Sequence, residues 1–437
     1  MRVLWVCNIM LPAIAVKLHR EYSNREGWLS GIFAKLQEEE ESQITLGICY
    51  PVAESAQAEK LMLNETACYG FLEDLGKPEQ YEPGMEVRFR EILDDFKPEV
   101  VHIFGTEFPH TLATVKAFGR PERTLIGIQG LCFQIASTYM AGLPKRVVKQ
   151  VTLRDWLRKD SLRQQQQKFR KRGKNEIEAL RLTGHVTGRT SFDLAGTRAV
   201  NKEAVYHFMN ETMRQDFYTG IWQPEQCVRH TIFLGQGDYP LKGFHFVLQA
   251  LAIIQKQFPD VKLLVAGSNV IADHTLKDRL KLSAYGKYLR RLIRDNQLQE
   301  KLQMLGRLSA GEMKQQYLNS SVFVCASVLE NSPNTVGEAM LLGVPVICAR
   351  VGGIPDMLTD GEEGYLFPAG DVQALADKIT ALWQDEDTVG TETRRISKNA
   401  RDRAARTHDG ATNYNRLLEI YQEIAEKGEV DAADHDI

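Results

Sequence analysis

A predicted strand, a polar loop and a predicted helix follow one another between Val322 and Gly343. The apolar, β-branched run 322–324 is typical of a short buried strand, and the apolar spacing from Asn334 to Leu342 is typical of a helix. A strand–loop–helix connection of this kind points unpaired backbone N–H groups and the positive end of the helix dipole at the space beyond the carboxyl end of the strand. The sequence therefore predicts an anion site here, suited to a phosphate or diphosphate.

Two glutamates, Glu330 and Glu338, flank this loop with seven residues between them. Taken singly, each is better explained as an exposed surface charge. Beside an anion site, however, a carboxylate suits the paired hydroxyls of a sugar ring, because it only accepts hydrogen bonds. A nucleotide sugar combines a diphosphate with two hydroxyl-rich rings, so the pair of glutamates fits that class of ligand.

The length of 437 residues predicts two domains, since it exceeds what one hydrophobic core usually supports. A net charge of −3 does not indicate nucleic-acid binding. We expect a cytoplasmic protein, because residues 3–7 begin a strand without a leader pattern and no apolar run is long enough to span a bilayer. The seven cysteines include no Cys-x-x-Cys pair, so they predict neither a metal nor a redox site.

Apolar runs and helix-like segments alternate along the chain. In the first half, strands are predicted at 3–7, 44–49, 100–104, 125–128, 184–187 and 204–208, and helices at 28–40, 85–96 and 110–118. A second set begins with strands at 229–234, 261–266, 302–305 and 344–348 and a helix at 244–258. The alternation predicts parallel α/β sheets with helices on both faces and ligands beyond the carboxyl ends of the strands.

A glycine-rich turn follows the predicted strand 229–234 and ends in Lys242-Gly243 at the start of a helix. The ammonium group and the backbone amides of such a turn would face the same anion. The turn is not a Walker loop, because the Gly-x4-Gly-Lys-Ser/Thr spacing is absent. It predicts a second contact to a phosphate group.

The Glu330 and Glu338 spacing, with Ser332-Pro333-Asn334 between them, resembles the Glu-x7-Glu signature of family-four retaining glycosyltransferases of the bacterial surface-polysaccharide type. The resemblance implies the GT-B architecture, in which two Rossmann-like domains face each other across a cleft and a C-terminal helix crosses back to the first domain. It divides the chain into an acceptor-side domain at 1–209, a connection at 210–228, a nucleotide-sugar-binding domain at 229–411, the crossing helix at 412–427 and an acidic tail at 428–437.

The resemblance also implies roles for individual residues. It assigns Glu330 and Lys242 to catalysis, with Glu330 at the donor sugar and Lys242 at the diphosphate, and it assigns Glu338 to the ribose. The further donor-binding residues that it implies are Gly235, Gln236, Gly237, Gly267, Arg307, Leu308, Asn331, Ser332, Pro333, Asn334 and Thr335. Gln236 stands where the family often has arginine, so Lys242 would carry more of the diphosphate charge. No metal and no other cofactor are expected.

The acceptor side is less defined. Family members often carry His-Gly after the strand that here ends in Gln129-Gly130, and an amide cannot act as a general base. His102 lies in a Glu-Val-Val-His pattern similar to that of the family and is the catalytic candidate. Glu107, His110 or no residue at all remain alternatives for the acceptor base.

Segment 145–174 carries twelve basic and two acidic residues, interleaved with apolar ones that include Trp156 and Phe169. Two interpretations are open for it. The segment could be a solvated helix with an apolar stripe packed on its own domain, or a surface that brings the protein to the anionic inner membrane leaflet.

The resemblance, together with the anion-site residues, implies a metal-independent retaining glycosyltransferase that uses a nucleoside diphosphate sugar, with UDP as the expected nucleotide. The expected acceptor is a lipid-linked saccharide in cell-surface polysaccharide synthesis. A nucleotide-sugar epimerase or hydrolase of the same fold is one alternative, and a non-catalytic sugar-nucleotide or polysaccharide-binding subunit is another. Gln129 and Gln236 favour the non-catalytic alternative. The presence of Glu330, Glu338 and Lys242 argues against it.

Overall fold

Parallel pairing of strands dominates the computed structural model, which describes residues 1–20, 27–38, 44–54, 60–272, 275–388 and 390–434. The chain forms two units. The first comprises Met1–Ala136, Lys168–Thr212 and His408–Ile437, and the second comprises Ser137–Gln167 and Met213–Thr407. Residues 137–167, which the sequence analysis placed in the first domain, therefore group with the second unit.

The first unit is built on an eight-stranded sheet. Its strands are β1 (Arg2–Val6), β2 (Thr45–Val52), β3 (Lys60–Leu63), β4 (Thr66–Leu72), β5 (Val100–Phe104), β6 (Thr124–Gly127), β7 (His185–Gly188) and β8 (Val205–Phe208). Helices of the segments around this sheet are α1 (Pro12–Lys17), α2 (Gly27–Glu38), α3 (Gly84–Phe96), α4 (Pro109–Phe118), α5 (Cys132–Thr138), α8 (Leu162–Arg181), α9 (Ser191–Val200) and α18 (Gly410–Asp434). The boundary between the units falls within α8.

The strand order of this sheet is β3-β4-β2-β1-β5-β6-β7-β8, and every pair is parallel except β3 with β4. Each strand predicted for the first half is present. The β3–β4 hairpin was missed, because its edge strand β3 is only partly covered and has no continuous buried run. The predicted helix 28–40 is α2, and positions 39 and 40 lie outside the described residues.

The second unit contains a six-stranded, wholly parallel sheet. Its strands are β9 (Val228–Leu234), β10 (Lys262–Ala266), β11 (Leu302–Gly306), β12 (Ser320–Cys325), β13 (Val346–Ala349) and β14 (Tyr365–Phe367), in the order β11-β10-β9-β12-β13-β14. Its helices are α6 (Lys145–Lys149), α7 (Leu153–Arg158), α10 (Phe244–Ile254), α11 (Leu276–Leu280), α12 (Ala284–Asp295), α13 (Ala310–Asn319), α14 (Asn334–Leu342), α15 (Ile354–Met357), α16 (Val372–Thr388) and α17 (Thr391–Thr407). This is the doubly wound order of nucleotide-binding sheets. The predicted parallel α/β fold is confirmed in both units.

The C-terminal helix α18 packs in the core of the first unit. Its buried side chains Tyr414, Leu417, Tyr421 and Ile424 recur every three or four residues, so they form one apolar face against the sheet. The helix continues to Asp434, although the sequence analysis assigned 428–434 to an acidic tail. Alanine and glutamate, which are good helix formers, extend it. Positions 435–437 lie outside the described residues. No helix of the described chain is long and apolar enough to cross a bilayer.

We expect Tyr421→Phe to lower the free energy of unfolding by roughly 1–3 kcal/mol. The buried Tyr421 hydroxyl accepts a hydrogen bond from Trp5 Nε1 at 2.8 Å and bonds His102 Nδ1 at 2.7 Å, so its removal leaves two buried polar groups without this partner. Thermal unfolding measures the change. Tyr50→Phe is the matched control, because the buried Tyr50 hydroxyl has no hydrogen-bond partner among the described residues. A loss of similar size in both variants would contradict the expectation.

Candidate active site

Lys242 and Glu330 meet at the carboxyl edge of the second sheet. Lys242 follows β9 and Glu330 follows β12, and these strands are neighbours in parallel pairing, so their carboxyl ends lie side by side. Lys242 Nζ donates to Glu330 Oε1 at 2.7 Å, and Ser327 Oγ donates to the same oxygen at 2.7 Å. A cation and a carboxylate therefore share one end of the sheet.

This pair is electrostatically strong and still reachable. Burial is the largest single influence on the pKa of Lys242 and opposes the charged form. The charges of Glu330 and Tyr239 and the hydrogen bond to Glu330 together outweigh it, so the pKa of the amine is raised above its ordinary value. The Lys242 and Glu330 side chains retain 21% and 13% of their exposure. Lys242 is thus charged at neutral pH, and both side chains remain open to a ligand.

Two glycines allow the loops around the pair to approach closely. Gly243 has φ +68°, and a Cβ there would lie 1.8 Å from the Ala326 carbonyl oxygen. Gly352 has φ +52°, and a Cβ there would lie 1.8 Å from the Glu330 carbonyl oxygen. Only glycine is compatible with both the left-handed backbone and the contact, so these positions fix the spacing of the site.

Glu338 is held by an arginine that the sequence analysis did not identify. Its side chain is 3% exposed, and Oε1 accepts hydrogen bonds from Arg214 Nε at 2.9 Å and Nη2 at 2.6 Å. Burial raises the pKa of Glu338 to about 7, although the charge and hydrogen bonds of Arg214 lower it. Arg214 lies in the segment predicted as a connection, and nothing in its local pattern distinguishes it from a surface cation.

The remaining predicted donor residues surround the same edge. Helix α14 begins at Asn334 after Pro333 without a side-chain cap, so its first backbone N–H groups are not taken by such a cap. Asn331 and Pro333 are buried, and Ser332, Asn334 and Thr335 are half-buried. Gly235, Gln236, Gly237, Gly267 and Leu308 lie in turns after β9, β10 and β11, where Arg307 is exposed. Gly267 has φ +104° and packs on Asp238, whose Oδ1 accepts the Ser268 N–H at 2.6 Å.

In the first unit, the catalytic candidate His102 is fully buried within β5. Burial lowers its pKa to about 3, and Nε2 lacks a hydrogen-bond partner among the described residues. The ring borders a cavity of about 10 Å³ that is also lined by Gln129, Thr187 and Glu211. Such a volume holds about one water molecule. This cavity cannot admit a saccharide, so the geometry favours a structural role for His102 over the predicted catalytic one.

The other acceptor-side candidates also form hydrogen bonds within the protein. His110 Nδ1 bonds Glu73 Oε2 at 2.8 Å in a buried pair at the start of α4. Gln129 Nε2 donates to Glu211 Oε1 at 2.7 Å, and Gly130 O accepts from Thr106 Oγ1 at 3.0 Å.

Glu107 is half-buried, and one of its carboxylate oxygens accepts the Thr106 N–H at 2.9 Å. Burial raises the pKa of Glu107, although Arg172 opposes the change. Glu107 alone of these candidates combines partial exposure with a raised pKa.

Segment 145–174 divides into parts with different environments. Arg172 on α8 is occupied by contacts within the first unit. Its Nε donates to the Glu107 carbonyl at 2.8 Å, and its guanidinium lies 4.7 Å from the Phe169 ring. Around α7, by contrast, four apolar side chains are largely exposed: Val151, Leu153, Trp156 and Leu157. Exposed Lys145, Arg146, Lys149, Arg158 and Lys159 lie in the same part of the chain. The mixture of apolar and basic groups is thus concentrated at 145–159.

Residues 229–403 match the family model described as "Glycosyl transferases group 1". The phosphatidyl-myo-inositol mannosyltransferase of Mycobacterium leprae is 30% identical over 200 residues, which cover 45% of this chain and 47% of that protein. The putative colanic acid biosynthesis glycosyltransferase WcaL of Escherichia coli is 27% identical over 275 residues, 56% of this chain and 67% of that protein. The chain spans about half the length of the first relative.

The structure of Anabaena Alr3699/HepE in complex with UDP-glucose superposes with a TM-score of 0.65 at 15% identity, covering 97% of this chain and all of that one (100%). At this identity the likeness shows the fold alone. It confirms that both Rossmann-like units belong to the GT-B architecture.

Replacement of Arg214 by Met should make the melting temperature more sensitive to pH. Without the guanidinium, the pKa of Glu338 rises beyond about 7, whereas its unfolded value is near 4.5. A carboxyl group with a raised folded-state pKa favours the folded state while protonated, and this contribution is lost as pH rises through that pKa.

The variant should therefore lose little stability at pH 6 and roughly 3 kcal/mol at pH 8.5, where an unpaired buried charge remains. Thermal unfolding at both pH values measures this, and the double variant Arg214→Met/Glu338→Gln should lose the added pH dependence. An equal loss at both pH values would contradict the assignment.

Proposed function

Because residues 229–403 match the model of the group 1 glycosyl transferases, we propose that this chain transfers a sugar from a nucleoside diphosphate sugar to a hydroxyl acceptor. UDP is the proposed nucleotide, and the anomeric configuration is retained. The acceptor that we propose is a lipid-linked saccharide used in cell-surface polysaccharide synthesis. Support comes from the family resemblance and from the relatives named above.

The observation that carries the proposal is the 2.7 Å contact between Lys242 and Glu330. A nucleotide sugar places an anionic diphosphate directly beside a ring of hydroxyl donors. In the proposal, Lys242 faces the diphosphate together with the first N–H groups of α14, and Glu330 accepts hydrogen bonds from the sugar. One cation and one carboxylate in contact match these two adjacent parts of one ligand.

Glu338 serves the other end of the donor in this proposal. Arg214 donates two hydrogen bonds to Oε1, whereas Oε2 has only a long contact of 3.4 Å with the Tyr317 hydroxyl. We therefore propose that Oε2 is the oxygen that accepts a hydrogen bond from a ribose hydroxyl. The charge of Arg214 supports the ionised form that accepts hydrogen bonds best. We therefore assign Arg214 as a positioning residue for Glu338.

The proposed reaction breaks the bond between the sugar and the diphosphate as the acceptor oxygen attacks from the same face. Lys242 and the amides of α14 stabilise the charge that develops on the leaving diphosphate, which is usually the largest contribution to such catalysis. A diphosphate oxygen takes the acceptor proton. This route requires no histidine at Gln129 and no metal ion.

The exposed apolar side chains of 145–159 support a membrane-associated acceptor. Trp156 and Leu157 are 68% and 66% exposed on α7. Two features stabilise the start of this helix. Thr152 and Asp155 form a capping box, and Asp155 Oδ2 also accepts a hydrogen bond from the Ala284 N–H at 2.9 Å. Apolar groups beside exposed lysines and arginines fit the surface of an anionic bilayer. We propose peripheral association with the inner membrane leaflet through this surface.

The donor assignment predicts separate effects for the two glutamates. Glu338→Gln should weaken UDP binding by roughly 1–3 kcal/mol, because a ribose hydroxyl loses its charged acceptor, whereas Glu330→Gln should mainly reduce turnover. A thermal-shift titration with UDP and UDP-sugars measures binding, and product formation with an acceptor panel measures turnover. The preference for UDP over 2′-deoxy-UDP should rise from pH 6 to pH 8 as Glu338, with a pKa of about 7, ionises.

Glu225→Gln is the matched control, because Glu225 forms an exposed pair with Arg394 in the same unit. Unchanged binding and turnover in both site variants would contradict the donor site. Hydrolysis of the donor without any acceptor would favour a hydrolase instead, and tight donor binding without turnover would favour a non-catalytic subunit. Activity that EDTA removes and manganese restores would refute metal independence.

The membrane assignment predicts that Trp156→Gln/Leu157→Gln abolishes pelleting with anionic vesicles while the melting temperature stays unchanged. Exposed apolar side chains contribute little to folding, and each basic residue near an anionic surface contributes about 1 kcal/mol to binding. Arg158→Gln/Lys159→Gln should therefore weaken pelleting, and salt should weaken it in the parent.

Val87→Gln/Ile221→Gln removes two other exposed apolar side chains and should pellet as the parent does. Equal, negligible pelleting of all proteins would contradict membrane binding. It would indicate that 145–159 is an ordinary solvated surface and would favour a soluble acceptor.

A further inference from the structure

A groove of about 810 Å³ lies beside α12 in the second unit. It is bounded by α12, by the turn after β10 and by β11, the edge strand of the sheet. Its volume falls within the range of ligand sites. None of its lining residues is among those proposed for the donor site or the membrane surface.

One side of the groove is a row of cations from α12, namely Lys287, Arg290, Arg291 and Arg294. Lys287 precedes the adjacent Arg290 and Arg291 by three and four residues, and Arg294 follows them by four and three. All four therefore lie on one helical face, and the row extends about 10 Å along the axis. Arg294 pairs with Asp295, but both side chains are more than half exposed, so the pair contributes little. Lys287 and Arg291 have no carboxylate partner among the described residues.

This row is unfavourable for the isolated protein. Like charges three and four residues apart destabilise a helix. Arg290 is additionally anchored, since Nη1 donates to the Ile271 carbonyl at 3.1 Å, and burial together with the charge of Arg294 lowers its pKa. An anion in the groove would remove this repulsion.

The rest of the lining indicates what kind of anion fits. Amide side chains of Asn269, Gln299 and Gln303 can both donate to and accept from hydroxyl groups, and apolar side chains of β11 lie beside them. No aromatic side chain is among the described lining residues, so bases have no stacking platform. A recess suits a narrow chain better than the flat surface of a bilayer.

We propose that this groove binds an anionic saccharide chain, whose carboxylate or phosphate groups pair with the α12 cations and whose hydroxyls bond the amides. Lys242, Glu330 and Glu338 do not line the groove, and binding there needs no transfer reaction. The inference therefore goes beyond the proposed glycosyltransferase activity, and either can fail without the other.

Isothermal titration with trigalacturonate, which carries one carboxylate on each sugar, tests the site directly. The parent protein should bind it with an affinity that falls as salt is added, and neutral maltotriose should not compete. Lys287→Gln/Arg291→Gln should weaken binding about tenfold, because two charge pairs are lost. Its melting temperature should stay the same or rise, since like-charge repulsion is relieved, and its thermal shift with UDP should be unchanged.

Arg198→Gln/Lys202→Gln is the matched control, because it removes two exposed positive charges from the first unit and should bind as the parent does. Equal affinity of the groove variant and the parent would overturn the site. Binding of tripolyphosphate but not of trigalacturonate would overturn the saccharide assignment. If anionic vesicles pelleted the parent but not the groove variant, the groove would be a membrane-binding surface, and this result would also overturn the saccharide assignment.

Discussion

The candidate site depends on the parallel pairing of β9 with β12. Parallel neighbours end at the same edge of a sheet, so the loops that follow them must meet there. Lys242 and Glu330 lie 88 residues apart in sequence, yet this pairing brings their charged groups to 2.7 Å. Gly243 and Gly352 permit the loops to close on each other. Without the pairing, the ammonium and the carboxylate would belong to unrelated turns.

Buried charges in both units are neutralised by partners from distant parts of the chain. Glu338 is held by Arg214 from the segment that enters the second unit. In the first unit, Glu211 pairs with Arg189, and its carbonyl accepts a hydrogen bond from His408 Nδ1 at 2.7 Å. Glu211, Arg214 and His408 lie close to the positions where the chain passes from one unit to the other. The contacts attach each of them to the packed interior of its own unit. A buried charge that loses its partner is costly, so such contacts define one arrangement of each unit.

Residues 137–167 give the second unit features beyond a nucleotide-binding sheet. Asp155 caps its own helix α7 and also accepts the first N–H of α12, so the exposed apolar helix and the cationic helix share one anchor. A carboxylate at the start of α12 also complements the helix dipole. Two surfaces with different chemistry, one apolar and basic and one concave and basic, thus lie on neighbouring elements of one unit.

The sequence by itself determined the two parallel α/β sheets, because runs of buried strand residues and helical periodicity are local patterns. It also singled out Lys242, Glu330 and Glu338, because glycine turns and the Glu-x7-Glu spacing are continuous in sequence. Only the tertiary structure decided the partners of these residues. Arg214 lacks any local signal, since its role arises from a contact across 124 residues. His102 has a catalytic pattern in sequence, but its burial in β5, beneath Tyr421 of the last helix, depends on packing that no local pattern encodes.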